Sequence, residues 1–519
     1  MQLRYDGGIN HNAKGEHVRF GLRADRKGDS RSLWVIGGFV CNEGFVFSLF
    51  YMGENRAFGD GPFAFERADL LGTLLCMLLA FALLRLASPR ARDALLSRPL
   101  VWCYAGLLVL GSLMPVIAGD GNHGIVLESL LVGVPAGLML AAWGRALGRR
   151  PVGDSVPEVF VAAAVAAGVC LVMAAIPVPQ ALFALKLLPL GSALALRGLL
   201  PARAASSDAG SEGGSLSFGD LLATKEQRDE TARLSKKIIA GTALFGLGAG
   251  FMETFGSDPG MASTPTVIAS LLLLILFCVA ALQLLAAGGL GKGGAAPGGE
   301  RKAGAAVDGP LDGVYRLAVL VMMAGFLFVP VLGSFGVPGE AIVLAGYLGL
   351  TFVLVSLFLV MAKITGQDAA VSFARGFAAL YAGEMAGIAC GNGIELLEPA
   401  GQVPYAVAAF AGLAALYAYL FLFTERDFRA LSVIVRDADR FDDACRLIAS
   451  TYGLSKREAE ILPLALKGRT GERIAAEFFI SKSTVDTHLR RIYVKTGMHG
   501  RQELIDLGER TARDLSQRG

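Results

Sequence analysis

The stretch SKSTVDTHLRRIYVKTG, Ser481–Gly497, has the pattern of a short helix with one buried and one exposed face. Ser481 is a good first cap, because a serine oxygen accepts a hydrogen bond from a backbone N–H in the first turn. Side chains suited to a core recur at i, i+3, i+4 and i+7, which predicts that one side is packed. They are Val485, His488, Leu489 and Ile492. The other side carries Ser483, Asp486, Thr487, Arg490 and Val494.

Three more short helices are predicted around this one. Ser455 and Glu458 have the spacing of a capping box, which opens a helix that Gly468 ends. A second helix is predicted at 471–478, and a last one begins near Arg501. Four short helices with a tight turn between the second and the third are typical of a helix-turn-helix module.

The residues LSKREAEILPLALKGRTGERIAAEFFISKSTVDTHLRRIYVKTGMHGRQELIDL, 454–507, closely resemble the DNA-binding domain of the LuxR family of bacterial transcription regulators. The resemblance implies a four-helix domain at 453–519 that dimerises through its last helix and reads the major groove with its third. It also implies that Asp486, Thr487 and Arg490 reach base edges. The predicted DNA-binding set is Lys482, Ser483, Thr484, Asp486, Thr487, Arg490, Arg491 and Lys495.

Individual roles follow from the chemistry of these side chains. Arg490 can pair with guanine and Thr487 can touch a thymine methyl, whereas Lys482, Ser483, Arg491 and Lys495 suit phosphates. The family usually has lysine where this chain has Asp486. Two interpretations of Asp486 stay open: a carboxylate of the helix start, three residues after Ser483, or an acceptor for cytosine N4.

The chain as a whole has the composition of an integral membrane protein. Of its 519 residues 54% are hydrophobic and 18% charged, and the mean hydropathy is +0.53. Seven cysteines, none in a C-x-x-C spacing, are predicted to be small apolar side chains. Because the sequence shows no catalytic, metal or nucleotide motif, we expect no enzymatic activity, no metal and no cofactor.

Twelve segments are long and apolar enough to span a bilayer, which needs about 20 residues each. They are 33–52, 69–87, 100–118, 124–144, 157–176, 179–199, 237–256, 265–287, 314–333, 340–363, 369–390 and 404–423. The predicted fold is all-α. Its parts are a disordered cytoplasmic tail (1–32), six spans (33–200), a cytoplasmic linker (201–236), six spans (237–423), a connector (424–452) and the DNA-binding domain (453–519).

The basic residues fall in alternate loops, for example ASPRARDALLSR and GRALGRR. Positive residues resist translocation, so both termini are predicted to be cytoplasmic in a bacterial inner membrane. The connector carries Phe441, Cys445 and Ile448 at helical spacing, which favours a packed amphipathic helix over a dedicated switch.

The six-plus-six arrangement resembles the major facilitator architecture by topology alone. The loop after the second span lacks the G-x-x-x-D-R-x-G-R pattern of those transporters, which favours a receptor. Charged residues within spans are functional candidates. The predicted ligand-binding set is Glu43, Glu128, Glu253 and Lys186, with Glu340 as a further candidate. Arg375 and Glu384 are predicted pairing partners for these charges. The alternative is that Glu128, Glu253 and Glu340 face water at the outer ends.

These features predict a membrane-embedded transcription regulator that senses a small ligand and binds promoter DNA. Its expected partners are double-stranded DNA, the lipid bilayer, an unidentified small molecule and a second copy of the chain, with RNA polymerase as a further candidate. The alternative is a major-facilitator-like transporter with a regulatory C-terminal domain. A third possibility is an interaction module on a membrane anchor.

Overall fold

The computed structural model describes residues 16–50, 67–118, 121–200, 225–254, 264–287, 313–321, 339–365, 367–395, 441, 443–478 and 480–518. Within these ranges the regular secondary structure is entirely α-helical, as predicted. The first half contains α1 (Glu16–Phe50), α2 (Ala68–Leu86), α3 (Pro89–Leu95), α4 (Arg98–Ser112), α5 (Met114–Ala118), α6 (Asn122–Gly148), α7 (Val152–Ala174), α8 (Val178–Lys186) and α9 (Leu188–Leu199). The second half contains α10 (Lys225–Thr254), α11 (Thr264–Ala287), α12 (313–321), α13 (Gly339–Thr365) and α14 (Ala369–Glu395).

Five described helices are long and apolar enough to cross a membrane. They are α2, α6, α7 and the apolar parts of α11 and α13. A sixth candidate is the pair α3 and α4, which is bent by 52° at its break. Several leucines point outward from these helices, among them Leu79 on α2 and Leu276 on α11, which are 60% and 65% exposed. Such a surface suits lipid, so the chain is a multi-pass membrane protein.

Most predicted spans coincide with helices, and three predictions need correction. Residues 16–32, predicted as a disordered tail, continue α1 as helix, and the Ser32 hydroxyl donates to the Glu158 carboxylate of α7. The predicted linker 201–236 ends early, because α10 begins at Lys225. The spans at 100–118 and 179–199 are each broken in two, next to Pro115 and Pro189. Proline lacks the N–H that a continuous helix needs. The span at 404–423 and most of 314–333 lie outside the described residues.

Close glycine contacts join α10 to α14. A Cβ at Gly246 or Gly250 would lie on the backbone carbonyl of Leu380 or Glu384, and one at Gly383 or Gly387 would lie on a carbonyl of α10. Both pairs have the G-x-x-x-G spacing that lets two helix backbones touch in a membrane. The contact fixes the position of Glu384, which lies between the two glycines of α14.

An ion-pair cluster joins α3, α6 and the start of α14. The buried Arg145 guanidinium contacts Asp93 of α3 at 2.8 Å and also the Asp368 carboxylate. Asp368 in turn accepts a hydrogen bond from the Ala370 N–H, so it caps α14. Because Asp93 and Arg145 belong to the first half and Asp368 to the second, this cluster connects the two halves.

The C-terminal part forms a second, smaller core. It contains α15 (443–451), α16 (Lys456–Leu466), α17 (Gly471–Phe478), α18 (Lys482–Thr496) and α19 (Arg501–Arg518). The four helices predicted from the sequence are present, including the Ser455–Glu458 capping box and Gly468 at a φ of +71°. Cys445 and Ile448 of α15 are buried in the same core. The last part of the connector is therefore a fifth helix of this domain.

Candidate functional site

The helix α18 is held in the domain by its buried face and by both of its ends. Val485, Leu489 and Ile492 are buried against α16 and α17. The Ser481 side chain accepts a hydrogen bond from the Thr484 N–H at 3.1 Å, and Gly497 ends the helix at a φ of 70°. Only a residue that tolerates the left-handed region fits well at that end. The buried and exposed faces are those the sequence predicts.

The opposite face of α18 is exposed along its length. Its exposed residues are Lys482, Ser483, Thr484, Asp486, Thr487, Arg490, Arg491, Val494 and Lys495. The Thr487 hydroxyl donates to the Ser483 carbonyl at 2.8 Å, so its proton is already engaged within the helix. Within the described part of the chain, neither Arg490 nor Arg491 has an ion-pair partner. Their two guanidinium groups are the unpaired cations of this face.

Two lysines of α18 do have partners. Lys482 forms an exposed ion pair with Glu472 of α17 at 2.9 Å, and this hydrogen bond raises the pKa of Lys482. Lys495 contacts the buried Glu458 carboxylate at 2.7 Å and the Gly453 carbonyl at 3.1 Å. Burial alone would raise the pKa of Glu458, but hydrogen bonds from Lys495 and Ser455 lower the pKa below its ordinary value. The Lys495 ammonium thus fastens α18 to α16. Its predicted contact with phosphate stays a prediction.

Asp486 has a different neighbour from the one expected. The cap of α18 is Ser481, whose hydroxyl also contacts the hydroxyls of Ser483 and Thr484. Asp486 does not belong to that cap. Its carboxylate lies next to Gly471, where a Cβ would be 3.0 Å from Oδ1. Gly471 is the first residue of α17, so the carboxylate lies near the positive end of that helix.

His488 is only half-buried, whereas the sequence places it on the packed face of the helix. Its Nδ1 is buried and has no hydrogen-bond partner among the described residues. No group of three metal-ligating side chains occurs in the described part of the chain.

The membrane part contains a small cavity between its two halves. It has a volume of about 60 Å³ and is lined by residues of α1, α2, α4, α6, α13 and α14. Its polar lining residues are Asn42, Glu43, Tyr347, Thr351, Tyr381 and Glu384. The Asn42 amide donates to the Glu43 carboxylate at 3.1 Å, and the Tyr347 hydroxyl donates to the Glu384 carboxylate at 3.0 Å.

The structure brings only one of the predicted ligand residues into this cavity. Glu43 lines it, whereas Glu128 and Lys186 do not. Glu128 is 7% exposed and so is buried in α6 rather than open to water. The side chains of Glu253 and Glu340 lie outside the described residues. Glu384, predicted as a pairing partner, instead shares the cavity with Glu43, and Tyr347 was missed because a tyrosine in an apolar span carries no charge signal.

Comparison with known proteins identifies the C-terminal module. Residues 453–507 match the family model "GerE: Bacterial regulatory proteins, luxR family". A stretch of 53 residues is 45% identical to the oxygen regulatory protein NreC of Staphylococcus aureus strains JH9 and USA300, covering 10% of this chain and 24% of that protein. The chain thus spans about a quarter of the length of these relatives. Residues 453–507 form a LuxR-type helix-turn-helix domain.

The membrane part is similar to two transporters at low scores. The human organic anion transporter MFSD10 has a TM-score of 0.45 and 13% identity, over 78% of this chain and 91% of that one. The major facilitator superfamily transporter FucP, in its outward conformation, has a TM-score of 0.40 and 14% identity, over 76% of this chain and 97% of that one.

Proposed function

We propose that this chain is a membrane-embedded transcription regulator. In this proposal the LuxR-type domain binds promoter DNA as a dimer, and the membrane part senses a small ligand in the cavity that contains Glu43. The protein lies in the bacterial inner membrane with both termini in the cytoplasm, because the basic loops alternate along the chain. The observation that carries the proposal is the exposed face of a correctly capped and packed α18.

The DNA contacts can be ranked from the partners of each side chain. Arg490 is exposed and unpaired within the described part of the chain, and its fork geometry matches the O6 and N7 acceptors of guanine. Thr487 presents a methyl group, which suits the methyl of thymine. Arg491, the next residue of α18, contacts phosphate. Lys482 also contacts phosphate once its exposed ion pair with Glu472 opens. Asp486 positions α17 rather than reading a base.

A second copy of the chain completes the DNA site. One helix contacts a short half-site, and the usual way to gain affinity is to bind two half-sites through a dimer. The last helix, α19, is the expected dimer contact for a LuxR-type domain. Membrane anchoring also confines two copies to a plane, which raises their effective concentration. RNA polymerase is a further partner of such a bound dimer.

The membrane part regulates the DNA-binding domain by a change between two states. A ligand shifts such an equilibrium only if it binds one state better than the other. The cavity is formed by both halves of the membrane part, so its occupation depends on how the halves are arranged. The connector transmits that arrangement, since its final helix α15 is packed into the core of the DNA-binding domain.

Chromatin crosslinking of the full-length protein tests the proposal. We expect discrete promoter peaks for the wild type and the loss of most of them in a Thr487→Ala, Arg490→Ala double variant. Arg446→Ala is the matched control, because it removes an exposed arginine of the same domain from α15. Equal patterns for wild type and double variant, or no peaks at all, would contradict the proposal and favour a transporter with a regulatory domain.

A further inference from the structure

A groove lies on the outer surface of the membrane part, between α1 and α9. It has a volume of about 350 Å³ and is open on one side. Its lining residues are apolar or small, and they are Leu33, Trp34, Gly37, Gly38, Cys41, Gly191 and Ala195. Leu33 and Trp34 are 70% and 50% exposed. An apolar surface of this size is costly in water, so it fits a surface that lipid covers.

Glycines create the space, and the helices behind it already touch. A Cβ at Gly38 would lie on the Cβ of Ala195, and a Cβ at Gly191 would lie 2.8 Å from the Cys41 sulfur. A Cβ at Gly37, by contrast, would meet no atom within 4 Å. Because α1 and α9 are in contact behind the groove, they cannot move together to fill the space at Gly37. The groove is therefore a lasting feature of this pair of helices.

The dimensions of the groove fit one acyl chain. From Leu33 to Cys41 the helix rises about 12 Å. One leaflet contributes about 15 Å to the hydrocarbon core of a bilayer, so the groove follows most of a chain in that leaflet. Its volume lies near the lower end of the range of small-molecule sites, which is on the order of 300 to 1,000 Å³. None of the lining residues is charged, which favours a hydrocarbon over a polar molecule.

Two arginines lie at one end of the groove. Arg31 precedes Trp34 and Gly38 by three and seven residues, so it continues the same stripe of α1. The contacts of Gly38 with Ala195 and of Cys41 with Gly191 show that α1 and α9 run antiparallel. Arg197, in the last turn of α9, therefore lies at the same end as Arg31. Both arginines are exposed.

This end has the chemistry of a lipid headgroup site. Exposed arginines near a bilayer surface attract anionic headgroups. A tryptophan such as Trp34 is typical of the depth at which headgroups and acyl chains meet. The positive charge at the end of the groove thus complements a phosphate, while the apolar wall complements the chain that is attached to it.

The geometry points to a binding site for an anionic phospholipid, with one acyl chain in the groove between α1 and α9 and the phosphate at Arg31 and Arg197. Only the assignment to the inner leaflet rests on the proposed function, through the orientation of the chain. Beyond the groove α1 continues as helix to Glu16. The bound lipid therefore lies where this helix leaves the membrane.

Tryptophan fluorescence can report the bound chain. Trp34 lines the groove, and the Trp143 ring lies behind it, 2.8 Å from the place of a Cβ at Gly38. The chain has three tryptophans, so Trp102→Phe leaves only these two. This full-length protein is reconstituted in phosphatidylcholine vesicles, in which a small fraction of the lipid is replaced by brominated phosphatidylglycerol or by brominated phosphatidylcholine. Bromine quenches tryptophan at short range. We expect phosphatidylglycerol to be preferred at least about fivefold, the effect of one arginine near an anionic surface.

Variants separate the headgroup contact from the chain contact. Arg31→Gln and Arg197→Gln should each lower the preference by about fivefold. Arg85→Gln is the matched control, because Arg85 is an exposed arginine in the last turn of α2. Gly37→Leu keeps both arginines but fills the groove, and it should also remove most of the preference. Its control is Gly106→Leu on α4, another exposed position with nothing within 4 Å.

Three results would overturn the inference. The first is equal quenching by the two brominated lipids in the Trp102→Phe protein. The second is a preference that Gly37→Leu leaves unchanged, because arginines would then attract headgroups without a chain in the groove. The third is the absence of quenching by either lipid, which would mean that another protein surface, such as a second copy, covers the groove. Size-exclusion chromatography checks the folding of each variant.

The outcome is independent of the DNA-binding proposal. Promoter crosslinking is measured separately and depends on Thr487 and Arg490. A preference for phosphatidylglycerol without promoter peaks would leave the lipid site in place and remove the regulator. Promoter peaks without a lipid preference would do the reverse.

Discussion

The functional charged residues lie in opposite environments in the two cores of this chain. In the LuxR-type domain Arg490 and Arg491 lie on an exposed helix face, whereas in the membrane part the buried Glu43 and Glu384 line an internal cavity. An exposed charge is available to bind a partner outside the protein, so its removal affects binding more than folding. A buried charge is part of the packing, so its removal affects both. The following predictions test this contrast.

The largest effect is expected at the contact between α10 and α14. Gly250→Leu places side-chain atoms on the Glu384 carbonyl. Ordinary overpacking lowers the free energy of unfolding by about 1 to 3 kcal/mol, and a clash with the backbone should lower it further. We expect almost no monodisperse full-length protein in size-exclusion chromatography. Gly248→Leu, at a position with nothing within 4 Å, should behave like the wild type. A well-behaved Gly250→Leu variant would show that the helices are not in contact there.

The second effect is expected on the exposed face of α18. Arg490→Ala should weaken binding to a cognate site by about 1 to 3 kcal/mol, because it removes one bidentate base contact. Binding to unrelated DNA should change little, and the yield of folded protein should not change. Arg491→Ala should weaken both kinds of DNA equally, since phosphate contacts carry no sequence information. Electrophoretic shift assays with full-length protein in nanodiscs measure both, and a sequence-dependent loss in Arg491→Ala would reverse the assignment.

A third, smaller effect is expected at the ion pair that fastens α18. Lys495→Met leaves the Glu458 carboxylate buried without its cation, which should destabilise the domain by about 1 to 2 kcal/mol, less than for a fully buried pair because Lys495 is 36% exposed. Resistance of the domain to limited proteolysis in the full-length protein measures the loss. Glu460→Gln, which removes an exposed partner of Arg457, is the control and should have little effect.

The same pair predicts a dependence on pH. Since the pKa of Glu458 is lowered in the folded domain, its contribution is fully present above the unfolded value of 4.5. It is lost as the pH falls through the folded pKa. The difference in protease resistance between wild type and Lys495→Met should therefore shrink below pH 4.5. A difference that is constant down to the folded pKa would mean that the carboxylate does not carry the effect.

The smallest effect is expected for Lys482→Ala. Its exposed pair with Glu472 should contribute little to stability, because solvent screens it. Its phosphate contact should appear in the salt dependence of DNA binding, whose logarithmic slope should fall by about 1. Binding of the full-length protein measured at several salt concentrations gives this slope. An unchanged slope would mean that Lys482 remains with Glu472 when DNA is bound.

The sequence predicts helices well where a local rule determines them. Caps such as Ser455 and Ser481, the stop at Gly468 and the apolar stripe of α18 all depend on neighbours a few residues away, and each is present in the structure. The continuous spans at 100–118 and 179–199 were wrong because hydropathy does not register the missing N–H of Pro115 and Pro189. The disordered tail was wrong because polarity alone does not prevent residues 16–32 from continuing a helix.

The sites could be predicted only in part, for the same reason. The exposed face of α18 follows from helical periodicity, so its residues are where they were expected. The partner of Lys495 lies on another helix, and no local pattern reveals the pair with Glu458. The cavity depends on the contact of the two membrane halves, so the proximity of Glu43 and Glu384 could not be derived from either half. Glu128, equally charged and equally buried, lies elsewhere.

The packing of α15 into the C-terminal core limits how far the DNA-binding domain can lie from the membrane. If the last span is 404–423, as the sequence predicts, then at most residues 424–440 separate the membrane from the DNA-binding unit, because α15 belongs to that unit. Fully extended, such a segment reaches about 60 Å. Under the proposed function, a promoter must come to within about that distance of the membrane to be bound, so access to a gene would depend on where its locus lies in the cell.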